Sequence, residues 1–577
     1  MTSRTRSIAT IRGKSPRSRN TALRAAPSHD PRAIDSLMVR VTTAAQAAAL
    51  DAKAISSGTA SFSLMSAAGR AAAEVIRGRF RRHLADGCIV FAGARNNGGD
   101  AWVVAGELAA SGVPVILVEV EPPKTDDANQ AKASLKSGVR VVSLGEVTTP
   151  AAGKQPVVVD GLLGTGASGA PRGSVADTIA VVNAWQRSGA HVVALDIPSG
   201  VDATTGATPG SFVSADLTVT FGTIKRGLLR NRDAAGAIVV VDIGLGGTAG
   251  PTAGPTTDPA DWLGGTAGST TDPTAAAAEG LDLIDARAAL AAVPAIGANA
   301  HKGTRRRLLV IGGSTGMAGA TILAARAAQR SGIGMVKLCV EAPSVAPVQA
   351  AEPAAMTASW PVDDSVLAEY LSWAHCVLLG PGLGLSRASR ELTVRVLTAW
   401  RGPVVVDADA LTAFEGTPER LGELLTGRPA VITPHAVEAQ RLAGASAADI
   451  DAGRFETAAL LAQRVRATVL LKGVPTVVSD GVRTVVVAAG TPALATAGSG
   501  DVLGGIVATL LAQTSDAVAS AASGAWVHGR AAELAGPSGV RGVTLDDVVA
   551  SLRLAWRMPE VPQAPVLATL PAVGERA

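Results

Sequence analysis

The sequence predicts an α/β protein of two domains, each built on an open, mainly parallel sheet. Three observations carry this. At 577 residues the chain exceeds what a single hydrophobic core sustains. Short apolar runs end repeatedly in a polar, Gly-rich loop, followed by sequence of helical period. That is the unit of a parallel sheet with its ligand at the carboxyl edge of the strands. The series is interrupted once, over residues 246–280, by Gly/Pro/Thr-rich sequence in which Thr252–Pro259 is nearly repeated as Thr266–Pro273. Such sequence buries no core and reads as a linker. The expected limits are a basic arm over 1–37, a first domain over 38–245, the linker over 246–280, a second domain over 281–560 and a tail over 561–577.

Composition narrows the classes. Hydrophobic residues make up 47% and charged residues 17%, with a net charge of +4 that comes largely from the arm. A small charge and 3% aromatics argue against a nucleic-acid partner. No apolar run has the length of a membrane span. Three isolated cysteines, Cys88, Cys339 and Cys376, lack metal-ligand spacing and suit a reducing, cytoplasmic setting.

Residues 1–37 are Ser/Arg-rich and aperiodic. They read as a disordered arm, a transit peptide or sequence upstream of the natural start, of which the last is favoured because Met38 opens the first strand-like run, Met38–Val41. Ala44–Ile76 has helical period. Cys88–Ala92 is a strand entering the loop Gly93–Asp100, after which Ala101–Ala110 is helical. Val157–Val159 leads to Asp160–Gly166, Val192–Leu195 leads to Asp196–Asp202, and Leu217–Phe221 leads to Gly222. Loops at the ends of successive strands converge. Asn97, Asp160 and Ser199 would then bring together hard oxygen donors with a single acid, a set suited to a weakly held monovalent cation.

In the second half Arg307–Ile311 runs into Gly312–Ala320, Cys376–Leu379 into Gly380–Gly384, and Pro403–Val406 into Asp407–Leu411. Val431-Ile432 ends in Thr433-Pro434-His435, followed by Glu438, and Val469–Leu471 ends in Lys472–Thr476. The set closes on Gly498-Ser499-Gly500-Asp501 and the apolar run Ile506–Leu511. Unpaired amides at such a helix start attract a phosphate. Beside it, Asp501 has a role if it takes a proton from a substrate hydroxyl.

These motifs, in this order, resemble the bifunctional NAD(P)H-hydrate repair family, an NAD(P)HX epimerase fused to an ADP-dependent NAD(P)HX dehydratase. The first half is similar to the epimerase through Asn96–Asp100, Asp160–Gly166, Asp196–Asp202 and Thr220–Gly222 with Lys225. The second is similar to the dehydratase through His301–Gly303, Gly380–Gly384, Asp407–Leu411, Thr433–His435 and Gly498–Asp501. The resemblance implies two three-layer αβα domains, Rossmann-like and then ribokinase-like. The first would interconvert the R and S hydrates of NADH and NADPH, and the second would dehydrate the S form at the expense of ADP, with Mg2+ accompanying the nucleotide. It also implies that Asn96, Asn97, Gly98, Gly99 and Asp100, with Gly164, Thr165, Gly166, Ala167, Ser168, Gly169 and Ala170, hold the hydrated dinucleotide. Asn97, Asp160 and Ser199 would bind potassium, and Asp196 contacts substrate as the candidate base. Ala320, Gly382, Gly384, His435 and Asp501 would contact the S hydrate, and Lys472, Gly473, Val474, Pro475, Thr476 and Gly500 the adenine nucleotide. The partners expected are these small molecules, with no nucleic acid and no membrane, in a homo-oligomer. The chain departs from the usual pattern at Ala101, Ala497 and Ala436-Val437.

Two rival readings stand beside this one. An ATP-dependent kinase of a small alcohol would share Gly500 and Asp501, with the first half as an accessory binding domain. A binding module built on an epimerase-like domain would not need Asn97, Asp160, Asp196 and Ser199 together.

Overall fold

The computed structural model describes residues 38–245 and 281–573, apart from 136, 152, 538 and 561. The arm over 1–37 and the linker over 246–280 lie outside the described residues. The first half contributes β1 (Val39–Thr42), β2 (Cys88–Ala92), β3 (Val115–Glu119), β4 (Val139–Ser143), β5 (Val157–Gly161), β6 (His191–Leu195), β7 (Leu217–Phe221), β8 (Ile224–Lys225) and β9 (Ala237–Val241). The second contributes β10 (Leu281–Leu283), β11 (Arg307–Ile311), β12 (Met335–Glu341), β13 (Met356–Trp360), β14 (Cys376–Leu379), β15 (Val404–Val406), β16 (Ala430–Ile432), β17 (Thr468–Leu471), β18 (Thr476–Ser479), β19 (Thr484–Val487) and β20 (Val566–Leu570).

One sheet of eight strands runs β20-β9-β7-β6-β5-β2-β3-β4, parallel except for β20. Strands β2, β5, β7 and β9 are buried along their whole length, which is why they read as unbroken apolar runs. Val90, Val159 and Val193 pack against Ala72, Ile76 and Leu108 of the helices on one face. Phe91, Val158 and Val192 meet Ile179, Val182 and Trp185 on the other. The result is the expected αβα layering. Strand order reverses between β2 and β5, which opens a crevice at their carboxyl ends.

The second sheet has twelve strands, β13-β12-β11-β14-β15-β16-β17-β18-β19-β10-β1-β8. Its body, β13 through β17, is parallel, and order reverses between β11 and β14. Two features depart from the expected limits. β1 pairs with β10 and β8 in the second half's sheet, and β20, within the expected tail, pairs antiparallel with β9 in the first. Val39, Val41, Ile224 and Leu228 accordingly share one apolar core with Leu283, Leu471, Val477 and Val486.

Two expected boundaries also shift. The helical pattern over 44–76 is two helices, Ala44–Ser56, whose Thr43 forms a capping box with Gln46, and Ser61–Arg79; Gly58 at φ 103° separates them. Asn96–Asp100 is the first turn of the helix Asn96–Ala110 and not a loop. A Cβ at position 98 would strike the Gly93 carbonyl, so only glycine lets this turn close onto the end of β2.

Candidate active sites

A cavity of about 770 Å³ opens at the β2/β5 switch point. Asn96, Asn97, Asp100 and the whole Gly164–Ala170 loop line it, with Asp196. Gly98 and Gly99 do not; a Cβ on Gly99 would strike Met65, so both shape the turn that carries the lining residues. Ala101 lies in the core facing Gly161, whose missing side chain leaves room for its methyl group.

Asp196 sits just past β6 with φ 61°, a strained conformation for a residue with a side chain. Its Oδ1 accepts from Lys225 Nζ at 2.5 Å, from Thr220 Oγ1 at 3.1 Å and from the Phe221 amide at 3.3 Å. Lys225 is almost wholly buried and also donates to the Thr220 hydroxyl and the Phe221 carbonyl. A buried lysine with this many oxygen partners holds one face of the carboxylate fixed. Thr223, on the cavity wall, is tied to β1 by its 2.9 Å hydroxyl contact with Thr42.

Asp51, Glu121 and Asp127 line the same cavity, and the proton affinities of Asp100 and Asp51 are raised. Burial, and then the charges of Asp196 and Asp51, push Asp100 well above the ordinary carboxylate range. Burial likewise raises Asp51, against the opposing pull of Lys225. Asp51 was not singled out in the sequence because it stands on an amphipathic helix where an acid looks like a solvated face; the only signal for Lys225 was its place after the Thr220–Gly222 motif.

Asp160 and Ser199 are fully buried behind the cavity. Ser199 donates its hydroxyl to Asp160 Oδ1 at 2.6 Å and its amide to Oδ2 at 2.8 Å. Asn97 Nδ2 donates to the Leu163 carbonyl at 2.8 Å, and the Ser199 hydroxyl accepts from the Leu163 amide at 2.9 Å. Asn97 Oδ1 is buried with no hydrogen-bond partner. An orphaned amide oxygen beside one carboxylate and neutral oxygens fits a monovalent cation. Burial raises Asp160 to about 6, an excess a nearby cation would offset. Among the described residues no group of three His, Cys, Asp or Glu is placed to hold a metal ion.

The second site gathers at the carboxyl ends of β11 and β14–β17. Gly498 caps the helix Ser499–Thr514 in the left-handed conformation, φ 89°, and a Cβ there would strike Leu323 and Leu545. Asp501 lies in the first turn. Burial, and then the charge of Asp407, raise it to about 7, with Asp409 and Glu438 adding to the rise and Lys472 opposing it. Lys472 Nζ donates to Asp407 Oδ1 at 3.0 Å and lies 3.6 Å from Glu438 Oε2. These carboxylates raise the proton affinity of Lys472 against its burial. Gly500 faces the pair: a Cβ at that position would stand 3.3 Å from Lys472 Nζ. Ala408, at φ 51°, marks strained backbone beside Asp407.

The remaining expected residues divide. Gly382 packs under Met317 and Ala320, and the Gly384 amide donates to Asp409 Oδ2 at 2.8 Å. His435 is a helix cap: its Nδ1 accepts from the Val437 and Glu438 amides, and Glu438 returns the bond to the His435 amide at 2.8 Å. Its side chain remains half exposed, with Nε2 free of that cap and 3.7 Å from Glu438. Val474 is 67% exposed, so the Lys472–Thr476 loop stands out at the rim. His528, not singled out in the sequence, lies buried behind the cradle 3.5 Å from the Ser499 hydroxyl; burial and Lys472 lower it to about 4 and keep it neutral.

Comparisons with known proteins divide the chain at the same place. A family model described as NAD(P)H-hydrate dehydratase matches residues 308–553, and one described as YjeF-related protein N-terminus matches residues 61–227. The bifunctional NAD(P)H-hydrate repair enzyme of Escherichia coli is 35% identical over 501 residues, covering 85% of this chain and 89% of that protein. The enzyme of the same name from Hyperthermus butylicus is 33% identical over 543 residues, covering 90% and 93%. Among solved structures, an ADP/ATP-dependent NAD(P)H-hydrate dehydratase of Bacillus subtilis, co-crystallised with ATP and Mg2+, covers 48% of this chain and 97% of its own at 26% identity, with a TM-score of 0.42. Among the described residues no helix is long and apolar enough to cross a membrane.

Proposed function

The chain belongs to the bifunctional NAD(P)H-hydrate repair family, and we infer that its two sites divide the work between residues 38–245 and 281–560. It epimerises the R and S hydrates of NADH and NADPH and dehydrates the S form using an adenine nucleotide. The kinase reading has no better support.

In the first site the cavity holds the hydrated dinucleotide through Asn96, Asn97, Asp100 and the Gly164–Ala170 loop. Asp196 is the base that handles the proton of the ring hydroxyl, with Lys225 fixing its orientation. Asn97, Asp160 and Ser199 hold potassium, which adds positive charge next to a carboxylate that burial would otherwise leave partly protonated.

In the second site Lys472–Thr476 and Gly500 hold ADP, which arrives as its Mg2+ complex, a co-substrate. The Gly498–Gly500 amides and the helix dipole stabilise charge on the transferring phosphoryl group. Asp501 accepts the proton of the S hydrate's hydroxyl as its oxygen bonds to the β-phosphorus, and AMP departs. Phosphate then leaves with the ring C–O electrons, and loss of a proton from the adjacent ring carbon restores the double bond of NAD(P)H. Ala320, Gly382, Gly384 and His435 form the rim that receives the hydrate.

The observation that carries this reading is the placement of Asp501 in the first turn of the helix Ser499–Thr514, close to Lys472 and the acids that engage it, where its proton affinity rises to about 7. The test is incubation with mixed R and S NADH hydrates, with and without ADP, following the return of reduced-nicotinamide absorbance. Full recovery of both epimers with ADP, and none without nucleotide, is expected. Absence of recovery with both ADP and ATP would overturn it.

A further inference from the structure

The helix Arg454–Val465 lies beneath the Lys472–Thr476 loop and touches both halves of the chain. Arg454 is 2% exposed. Its NH1 donates to the Pro475 carbonyl at 2.5 Å, its NH2 pairs with Asp451, and a Cβ on Gly473 would strike its guanidinium group. Its Nε is buried with no partner. A buried arginine is costly to hold, and here its contacts go to the backbone of the loop that meets the nucleotide.

The next two residues face the other way. Glu456 Oε1 accepts from Arg226 NH1 of the first half at 2.7 Å, and the Phe455 ring lies 4.9 Å beneath the Arg226 guanidinium. Arg230 adds bonds to the Asp451 and Ala452 carbonyls at 2.9 and 2.8 Å. Arg226 is itself buried and directly follows Lys225, the partner of Asp196. Direct contacts and adjacent residues thus join the first half to the nucleotide loop.

We propose that Arg226, a residue of the first half, is a positioning residue for the dehydration reaction: through Glu456, Phe455 and Arg454 it fixes the Gly473–Pro475 backbone against which ADP binds. This rests on the assignment of Lys472–Thr476 to the nucleotide. The helix would otherwise begin with a buried, half-satisfied arginine and an acid without its cation. Anchored by Arg226, its first turn holds one position, and so does the loop above it.

The test is dehydration kinetics of the full chain with ADP varied at saturating S hydrate, beside direct ADP binding by calorimetry. Glu456→Gln and Arg454→Lys are expected to raise the KM for ADP roughly threefold to tenfold, the size of effect that coupled residues carry. The kcat and the KM for the S hydrate should stay within about twofold, since neither residue meets the reacting atoms. The exchange Arg226→Glu with Glu456→Arg is expected to recover most of the loss, and a KM for ADP raised with kcat unchanged is what a general loss of fold would not produce. Lys472→Ala separates the premise from the proposal. If it loses ADP binding while Glu456→Gln and Arg454→Lys leave the KM for ADP unchanged, the positioning role is overturned. If Lys472→Ala binds ADP as the parent does, the assignment of the loop to the nucleotide falls, and the proposal with it.

Discussion

Both halves place the carboxyl group proposed as their base at the carboxyl end of a parallel sheet, next to strained non-glycine backbone, yet the two groups live in opposite surroundings. Asp196 is itself the strained residue and is gripped by a buried lysine and two further donors. Asp501 stands at a helix start among Asp407, Asp409 and Glu438, while the nearby lysine is engaged by two of those acids. The difference follows the chemistry. A reversible inversion needs a carboxylate held in one orientation while the substrate presents either face. A phosphoryl transfer to a hydroxyl needs a group that collects one proton near neutral pH, and burial, followed by crowding from like charges, supplies that affinity.

The comparison can be broken most sharply at Asp501. Asp501→Asn, nearly isosteric, is expected to lower dehydration of the S hydrate by roughly 10²–10⁴-fold, the span of general-base catalysis. Epimerisation, followed by chromatographic separation of the hydrates, should not change. A near-parental dehydration rate would show that another group takes the proton. The mirror change, Asp196→Asn, should slow epimerisation by about 10²-fold and spare dehydration of pure S hydrate. A variant that epimerises normally would move the base to Asp100 or Asp51.

A pH series sharpens the contrast. If Asp501 is the base, and so acts only when ionised, dehydration should fall by about tenfold per pH unit below pH 7, with an inflection that the Asn variant lacks. Epimerisation should not share that inflection. Exchange of potassium for lithium should lower the epimerase rate alone. Potassium at about five times its Kd would stabilise the fold by ~1 kcal/mol, a shift of a few degrees in melting temperature. A rate and melting temperature indifferent to the cation would remove it from the Asn97–Asp160–Ser199 cage.

The smallest effect concerns stability. A raised folded-state affinity means that the proton on Asp501 stabilises the fold fully at acid pH, and that this contribution is lost as pH rises through about 7. Asp501→Asn avoids that loss. Its melting temperature should therefore exceed the parent's at pH 8, by a margin that shrinks toward pH 4. An equal margin at both would mean that the carboxyl is not strained by its neighbours.

Much of this was legible in the sequence because local chemistry specified it. Val157–Val159 could only be a buried strand, and Gly498 before an apolar run had to begin a helix. Asn97, Asp160 and Ser199 were readable as one group because strand-end loops converge in a parallel sheet. Less legible were features fixed by distant partners. Asp51 and Glu456 look like solvated charges until the fold brings Lys225 and Arg226 to them. Arg454 carries no mark of burial in its own helix. Val566–Leu570 is too short and too close to proline to announce a strand, and its partner β9 lies more than three hundred residues earlier. The place of β1 was hidden for the same reason, since any apolar four-residue run can serve either sheet.

That exchange of strands changes what the linker is for. The first half lends β1 and β8 to the larger sheet, and the far end of the chain returns β20 to the smaller one. If the linker were cut, neither fragment could leave without baring an unpaired strand edge and part of a common apolar core. A nicked chain should therefore persist as a complementing pair of fragments and melt in one transition, and either fragment made alone should aggregate. The halves complete each other's fold through the strands they exchange.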